Sequence, residues 1–337
     1  MNARLRPAMQ APRLGFLGLG WIGCQRMQVL ADSGTATIGA IADSNPESLA
    51  RAVLHAPDAR RCRTIDELLV MDDLDGIVIA TPSGAHAVQA IAALDRGLAV
   101  FCQKPLTRTA LEARQVVEAA RRADRLLAVD FSYRHLDGVA DLRERMQRGD
   151  FGDIHAVDLQ FHNAYGPDKP WFYELSQSGG GCVMDLGIHL IDLAQWLCDT
   201  TGHSQLAAML HAGGRPLRAP LREVEDYATA QWQLDNNASV RMACSWRLPA
   251  GRDAVIEAAF YGTRGGAAIR NVAGSFYDFT VELFEGTRST RIASPPDAWG
   301  GRALIEWTRR VQAGEGFDPQ SRTLVDVAQT VDAIYGR

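Results

Sequence analysis

The sequence predicts an α/β protein in two parts: an N-terminal doubly wound parallel sheet, then an α+β domain with an open, mostly antiparallel sheet. Three observations carry this. From Arg13 to about Phe131, short apolar, β-branched runs alternate with helical patterns, the rhythm of βαβ units. After about Tyr133 the apolar residues switch to period-two alternation, which marks strands with one buried face. The length of 337 residues suits two domains, each large enough for its own core.

In the first part the expected strands are Leu14–Leu17, Thr37–Ala42, Gly76–Ala80, Leu98–Cys102 and Leu126–Phe131. Helices are expected at Ile22–Asp32, Pro46–His55, Ala85–Asp95 and Leu111–Ala123. Right-handed crossovers place these helices on both faces of the sheet. In the second part Val157, Leu159 and Phe161 alternate with polar neighbours, as do Ala228, Ala230 and Trp232, then Val240, Met242, Cys244 and Trp246, and more briefly Phe279, Val281 and Leu283. Leu324, Val327, Val331 and Ile334 have helical spacing. The expected domains are 1–132, 133–317 and 318–337, the last a helix packing back on the body. The segments Asn163–Ser178 and Ala250–Phe276 read as cleft-lining loops. Trp232, Trp246, Phe260 and Tyr261 are either core or part of a face for pairing subunits.

A net charge of -5, from 40 acidic and 35 basic residues, argues against nucleic-acid or membrane-surface roles that need a positive field. Short basic clusters such as Arg60-Arg61-Cys62-Arg63 read as solvated faces. No apolar run approaches the ~20 residues that span a bilayer. The six cysteines (Cys24, Cys62, Cys102, Cys182, Cys198, Cys244) show no CxxC spacing, and the segment Met1–Gln10 has no apolar signal core, so free thiols in the cytoplasm are expected.

The first βα turn carries the chemistry. Gly18-Leu-Gly20-Trp-Ile-Gly23 follows a strand and opens a helix, the context of a Rossmann dinucleotide fingerprint. Gly18 permits the turn, Gly20 lets amides approach a pyrophosphate, and Gly23 lets the helix pack on the strand; the helix N-terminus favours the phosphates. Asp43, at the end of the second strand, is placed for the adenosine ribose hydroxyls, which favours NAD over NADP; it could also cap the next helix, a role for which Ser44 and Asn45 compete.

Hydride transfer at a carbinol requires a partner for the hydroxyl proton. Asp185 and His189 stand at i and i+4, on one face of a helix, after Gly179–Gly181, which would let backbone approach a ligand; spacing alone favours a helix-stabilising pair behind a glycine turn over a catalytic pair. Lys104 follows an apolar strand and precedes Pro105, at the sheet end where ligands lie in open α/β folds, although a solvated strand-end charge is the simpler reading of a lone lysine. A metal site from Asp185, His189 and Asp192 lacks a second imidazole and is disfavoured. Ser83 and Ser178 have no nucleophile elbow, so a hydrolase is unsupported.

Together the motifs resemble the glucose-fructose oxidoreductase / inositol dehydrogenase / rhizopine-catabolism (Gfo/Idh/MocA) family of NAD(P)-dependent oxidoreductases, from about Arg13 to the end and in the family's order. The resemblance rests on Gly18, Gly20 and Gly23; on Thr81-Pro82-Ser83-Gly84-Ala85-His86; on Gln103-Lys104-Pro105 for the family's Glu-Lys-Pro; and on Gly179–Gly181 followed by Asp185-Leu-Gly187-Ile-His189-Leu-Ile-Asp192. It implies an NAD-dependent oxidoreductase acting on a secondary alcohol or ketone of a sugar, inositol or polyol. His189 would be the acid/base, Asp185 its partner, and Lys104 the group polarising the oxygen. Trp21, Ile22, Ser44, Thr81, Pro82, His86 and Gln103 would join Gly18, Gly20, Gly23, Asp43 and Lys104 around the cofactor. Arg134 and Trp171 would join Lys104, Asp185 and His189 at the substrate, and a homo-dimer or homo-tetramer is implied. Gln103 departs from the family's glutamate. A non-catalytic dinucleotide sensor and a reductase of a non-sugar substrate are the alternatives.

Overall fold

The computed structural model describes residues 11–337; the reading of Met1–Gln10 as lacking a signal core lies outside the described residues. The described residues divide into two compact units, one of residues 11–132 and 300–325 and the other of 133–299 and 326–337.

In the first unit β1 (Arg13–Leu17), α1 (Trp21–Ser33), β2 (Thr37–Ala42), α2 (Pro46–Ala52), β3 (Arg60–Cys62), α3 (Ile65–Leu69), β4 (Gly76–Ile79), α4 (Ser83–Asp95), β5 (Ala99–Cys102), α5 (Ala110–Ala123) and β6 (Leu127–Val129) alternate. The sheet runs β3-β2-β1-β4-β5-β6 and its pairs are all parallel. Every residue of β4 and β5 is buried, as in a sheet covered on both faces. The strand order reverses between β1 and β4, which sets their carboxyl ends beside the loop after β1.

Several elements were not legible in sequence, and two of them complete the first unit. The basic cluster Arg60-Arg61-Cys62 is the edge strand β3, parallel to β2; its arginines are exposed and Cys62 is buried. Charged side chains on an edge strand protect it from pairing with other chains, and here they hide it from a hydropathy reading. The helix Arg302–Gln312, assigned in sequence to the second domain, groups with the first unit. The reason is apolar packing: Leu304 and Trp307 sit in the first unit's core with Phe16 and Phe101, and the Trp307 ring centroid lies 5.7 Å from that of Phe101.

The second unit contains α6 (Val139–Gln147), β7 (Ile154–Asn163), α7 (Leu175–Ser178), α8 (Ile188–Leu197), β8 (Ser204–Ala212), β9 (Arg215–Pro216), β10 (Tyr227–Gln233), β11 (Ser239–Ser245), β12 (Ala254–Gly262), β13 (Gly266–Asn271), β14 (Phe279–Glu285) and β15 (Arg288–Ala293). Its nine strands run β15-β14-β13-β12-β7-β11-β10-β8-β9, antiparallel except for β7 with β11. Residues 250–276, read from sequence as a loop, form the hairpin β12–β13. Their frequent glycines gave a loop signal, but Ala254, Ile256, Ala258 and Phe260 alternate as a buried strand face.

One face of this sheet is the core. Trp232, Trp246 and Phe260 are 2%, 3% and 0% exposed, so these aromatics are core rather than a docking face; Tyr261 alternates to the other side. That side carries ion pairs, Arg241 with Asp158 and Arg270 with both Glu257 and Glu282.

Candidate active site

The glycine loop is built from strand-end hydrogen bonds. Gly18 N donates to Ala42 O at 2.9 Å and Ala80 N to Leu17 O at 2.7 Å, tying together the ends of β1, β2 and β4. Gly18 takes φ +90, and a Cβ there would sit 2.5 Å from the Ala80 carbonyl. A Cβ on Gly23 would lie 2.0 Å from Gly18 O, so both positions are closed by the protein itself. Gly20 is different, because a Cβ there meets nothing within 4 Å. Its smallness serves no contact within the protein and leaves room for the backbone approach that a pyrophosphate needs, so the loop fits a dinucleotide. Trp21 is 69% exposed beside it, and Ile22 is half-buried.

Asp43 accepts from Leu19 N at 2.7 Å and from Asn45 N at 2.8 Å, so its carboxylate joins the glycine loop to the end of β2. The cap of α2 is Asn45, whose side chain accepts from Glu47 N. That resolves the competition for the cap and leaves Asp43 facing the loop. Ser44 is exposed.

At the ends of β4 and β5 the buried His86 lies between two turns. Its ring nitrogens are 2.8 Å from Pro105 O and 2.7 Å from Thr81 O. Burial pushes its pKa down, the two carbonyls pull it up, and the charge of Lys104 lowers it again. The imidazole lies between the Thr81-Pro82 turn and the Lys104-Pro105 turn and, when neutral, donates to one of the two carbonyls. The Thr81 hydroxyl donates to Gln89 at 2.6 Å, and Pro82 is exposed. Lys104 is half-buried between the buried Gln103 and Pro105, and the Gln103 side chain donates to Asp130.

In the second unit the helix carrying Asp185 and His189 runs from Cys182 to Leu197, with a π-turn over Val183–Gly187 in place of regular α-helix. Such single-turn insertions recur at functional sites. From Gly181 to Leu190 every residue is buried except Asp185 and His189. Trp246 Nε1 donates to Asp185 Oδ2 at 3.0 Å. The buried Tyr133 ring meets the His189 ring edge-on, centroids 4.9 Å apart, and stacks on Trp299.

Asp192 does not face the same way. It is 1% exposed, and its carboxylate is gripped by Arg134, whose Nε donates to Oδ2 at 2.8 Å. Arg134 therefore braces the helix through Asp192, and its guanidinium also lies 5.3 Å from the Trp196 ring centre. Trp171 is half-buried and stacks on Phe172 at 3.8 Å. Among the described residues there is no group of three or more metal-ligating side chains.

Two of the three glycines, Gly180 and Gly181, have a role that the sequence did not show. A Cβ on Gly180 would lie 2.0 Å from the Tyr335 hydroxyl, and one on Gly181 would lie 1.8 Å from Glu225 O. Protein atoms, not a ligand, occupy that space. Glu225 is fully buried; burial pushes its carboxyl pKa up, opposed by the N–H groups of Val183 and Gly181 and by the Tyr335 hydroxyl. Tyr335 and Asp130 carried no motif; Glu225 lies in Val224-Glu-Asp-Tyr-Ala228, a run that resembles the family's strand entry in the second domain, and Trp246 in an alternating strand, but only packing reveals what they hold.

Residues 13–131 match the profile described as oxidoreductase family, NAD-binding Rossmann fold, and residues 139–268 match the profile of the GFO/IDH/MocA C-terminal domain. The chain belongs to the Gfo/Idh/MocA family of oxidoreductases. Its first unit is an NAD-binding Rossmann domain. Among family relatives, it is 30% identical to the rhizopine catabolism protein MocA of Rhizobium meliloti over 55% of this chain and 56% of that protein. It is 28% identical to an inositol 2-dehydrogenase of Leifsonia xyli subsp. xyli over 86% of this chain and 88% of that protein. In fold it resembles a levoglucosan dehydrogenase solved with NADH and levoglucosan, at TM-score 0.82 and 23% identity over 97% of both chains.

Proposed function

We propose that the protein transfers a hydride between NAD and a secondary alcohol or ketone of a sugar, inositol or related polyol. The carrying observation is a pattern of exposure. In each of two otherwise buried stretches the residues that keep solvent access are those the chemistry needs: Lys104 after β5, and Asp185 and His189 on the π-turned helix. The relatives named for sugar and polyol reactions support the substrate class.

When bound, the nicotinamide supplies the hydride acceptor or donor. The protein supplies the proton chemistry. His189 takes the hydroxyl proton during oxidation and returns it during reduction, a role suited to an imidazole near neutral pH. Asp185, held by Trp246, orients that imidazole and stabilises its charged form. The Lys104 ammonium stabilises the developing negative charge on the reacting oxygen. Gly20 and the N-terminus of α1 receive the pyrophosphate. The carboxylate of Asp43 accepts from the adenosine ribose hydroxyls while retaining its bond to Leu19, since an ionised carboxylate has about four acceptor sites.

The test is a screen of inositols, aldoses and polyols with NAD, following NADH absorbance, with His189→Ala alongside. Oxidation of one of these compounds, lost by about 100-fold or more in the variant, is the expected result. Unchanged turnover in His189→Ala would remove the acid/base assignment.

A further inference from the structure

The first four N–H groups of a helix have no partner within it, and they must find one when the helix start is buried. Here the start of the helix bearing Asp185 and His189 is entirely buried, and all four amides are met by residues distant in sequence. Gly181 N donates to Glu225 Oε2 at 2.9 Å, Cys182 N to Glu225 O at 3.0 Å, Val183 N to Glu225 Oε1 at 2.9 Å, and Met184 N to the Tyr335 hydroxyl at 3.2 Å. The Tyr335 hydroxyl in turn donates to Glu225 Oε1 at 2.9 Å. The next amide, Asp185 N, makes the first bond of the helix itself, to Gly181 O at 3.0 Å. Arg337 adds a bond from its guanidinium to Gly179 O at 3.1 Å.

We infer that Glu225 and Tyr335 are positioning residues for the proton-handling pair: one buried carboxylate and one phenol set the start, rotation and depth of the helix that presents Asp185 and His189. The inference rests on the proposed roles of Asp185 and His189. A carboxylate is required because both of its oxygens accept; an amide of the same shape would set an N–H against an N–H. Its negative charge also lies at the positive end of the helix. The glycines at 180 and 181 are required because any side chain would displace the phenol or the backbone of Glu225. The final residues of the chain thereby act on Asp185 from a distance of 150 positions in sequence.

The test uses the full-length variants Glu225→Gln and Tyr335→Phe. The expected result is a fall in kcat of about tenfold or more, with NADH affinity and substrate KM within about twofold of the parent. A structural readout is independent of turnover: the His189 imidazole resonances in NMR, assigned by their absence in His189→Asn, shift in both variants. Tyr335→Phe is the milder change and keeps the test open if Glu225→Gln does not fold. Unshifted His189 resonances, or a loss of thermal stability with unchanged kcat, would overturn the inference. Shifted resonances in a protein that oxidises no polyol would uphold the positioning and reject the proposed function instead.

Discussion

The side-chain amide of Gln103 donates to the carboxylate of Asp130, which is 1% exposed and also receives the Arg26 guanidinium, Nε to Oδ2, at 2.6 Å. The Ser132 hydroxyl donates to the other carboxylate oxygen. One buried guanidinium therefore faces one buried carboxylate, and the neutral amide at 103 completes the set. The glutamate usual in the family would bring a second carboxylate against Asp130.

Gln103→Glu is accordingly expected to destabilise the protein by about 1–3 kcal/mol at neutral pH. The introduced carboxyl would have its folded-state pKa raised by the neighbouring carboxylate and by burial. A raised folded-state pKa favours folding below the unfolded value and is lost as pH rises through the folded one, so the penalty is smallest near pH 4 and grows toward pH 8. Urea melts of both proteins across this range check it. Adding Asp130→Asn to Gln103→Glu should restore most of the stability, and an unchanged penalty in the double variant would show that the charges are not coupled.

His86 gives a pH dependence of the opposite sign. Its pKa is lowered in the folded state, chiefly by burial, so the unfolded chain takes up the proton first. The stability it contributes is present above the unfolded value of ~6.5 and is lost as pH falls toward the lower folded value. Melting temperatures from pH 5 to 8 should show this loss in the parent protein. His86→Asn should flatten that part of the curve and cost about 1–3 kcal/mol at pH 8, through loss of the one hydrogen bond that the neutral imidazole donates to Thr81 O or Pro105 O and of its buried packing.

Asp43→Asn removes the charge and keeps an acceptor for Leu19 N. The ratio of NADPH to NADH affinity should rise about tenfold, equivalent to ~1.4 kcal/mol of lost repulsion toward a 2′-phosphate. Quenching of the exposed Trp21 is a direct titration signal. A ratio that does not move would mean that Asp43 only joins the loop to β2.

Trp246→Phe deletes the indole donor to Asp185 Oδ2 and leaves an aromatic ring in its place. Turnover should fall about tenfold while NADH affinity stays unchanged, because the cofactor-binding elements lie in the other unit. Steady-state kinetics beside a fluorescence titration separate the two effects. Full turnover would remove Trp246 from the positioning of Asp185.

The parts of this architecture that were legible in sequence are those with a local signal. Glycines at fixed offsets between a strand and a helix announced the dinucleotide loop, and period-two alternation announced β7, β10, β11 and β14. What was missed depends on partners remote in the chain. β3 is three residues long and mostly charged, so only its pairing with β2 defines it. The grip of Arg134 on Asp192 joins residues 58 positions apart and has no local signal. The glycines before the helix read as room for a ligand, but what comes close to Gly180 is Tyr335, 155 residues later in the chain.

Trp307 has a consequence for how the protein is made. Its indole lies beneath Gly76, where an added Cβ would come within 2.9 Å of the ring, and against Phe101 in the core of the parallel sheet. A ribosome that has released residues 1–132 has not yet synthesised the side chain that fills this core. The nascent first unit must wait, its apolar surface incompletely covered, through the synthesis of nearly all of the second. Domains commonly fold in order of emergence; here the second unit's strands can pair while the first still lacks its final wedge.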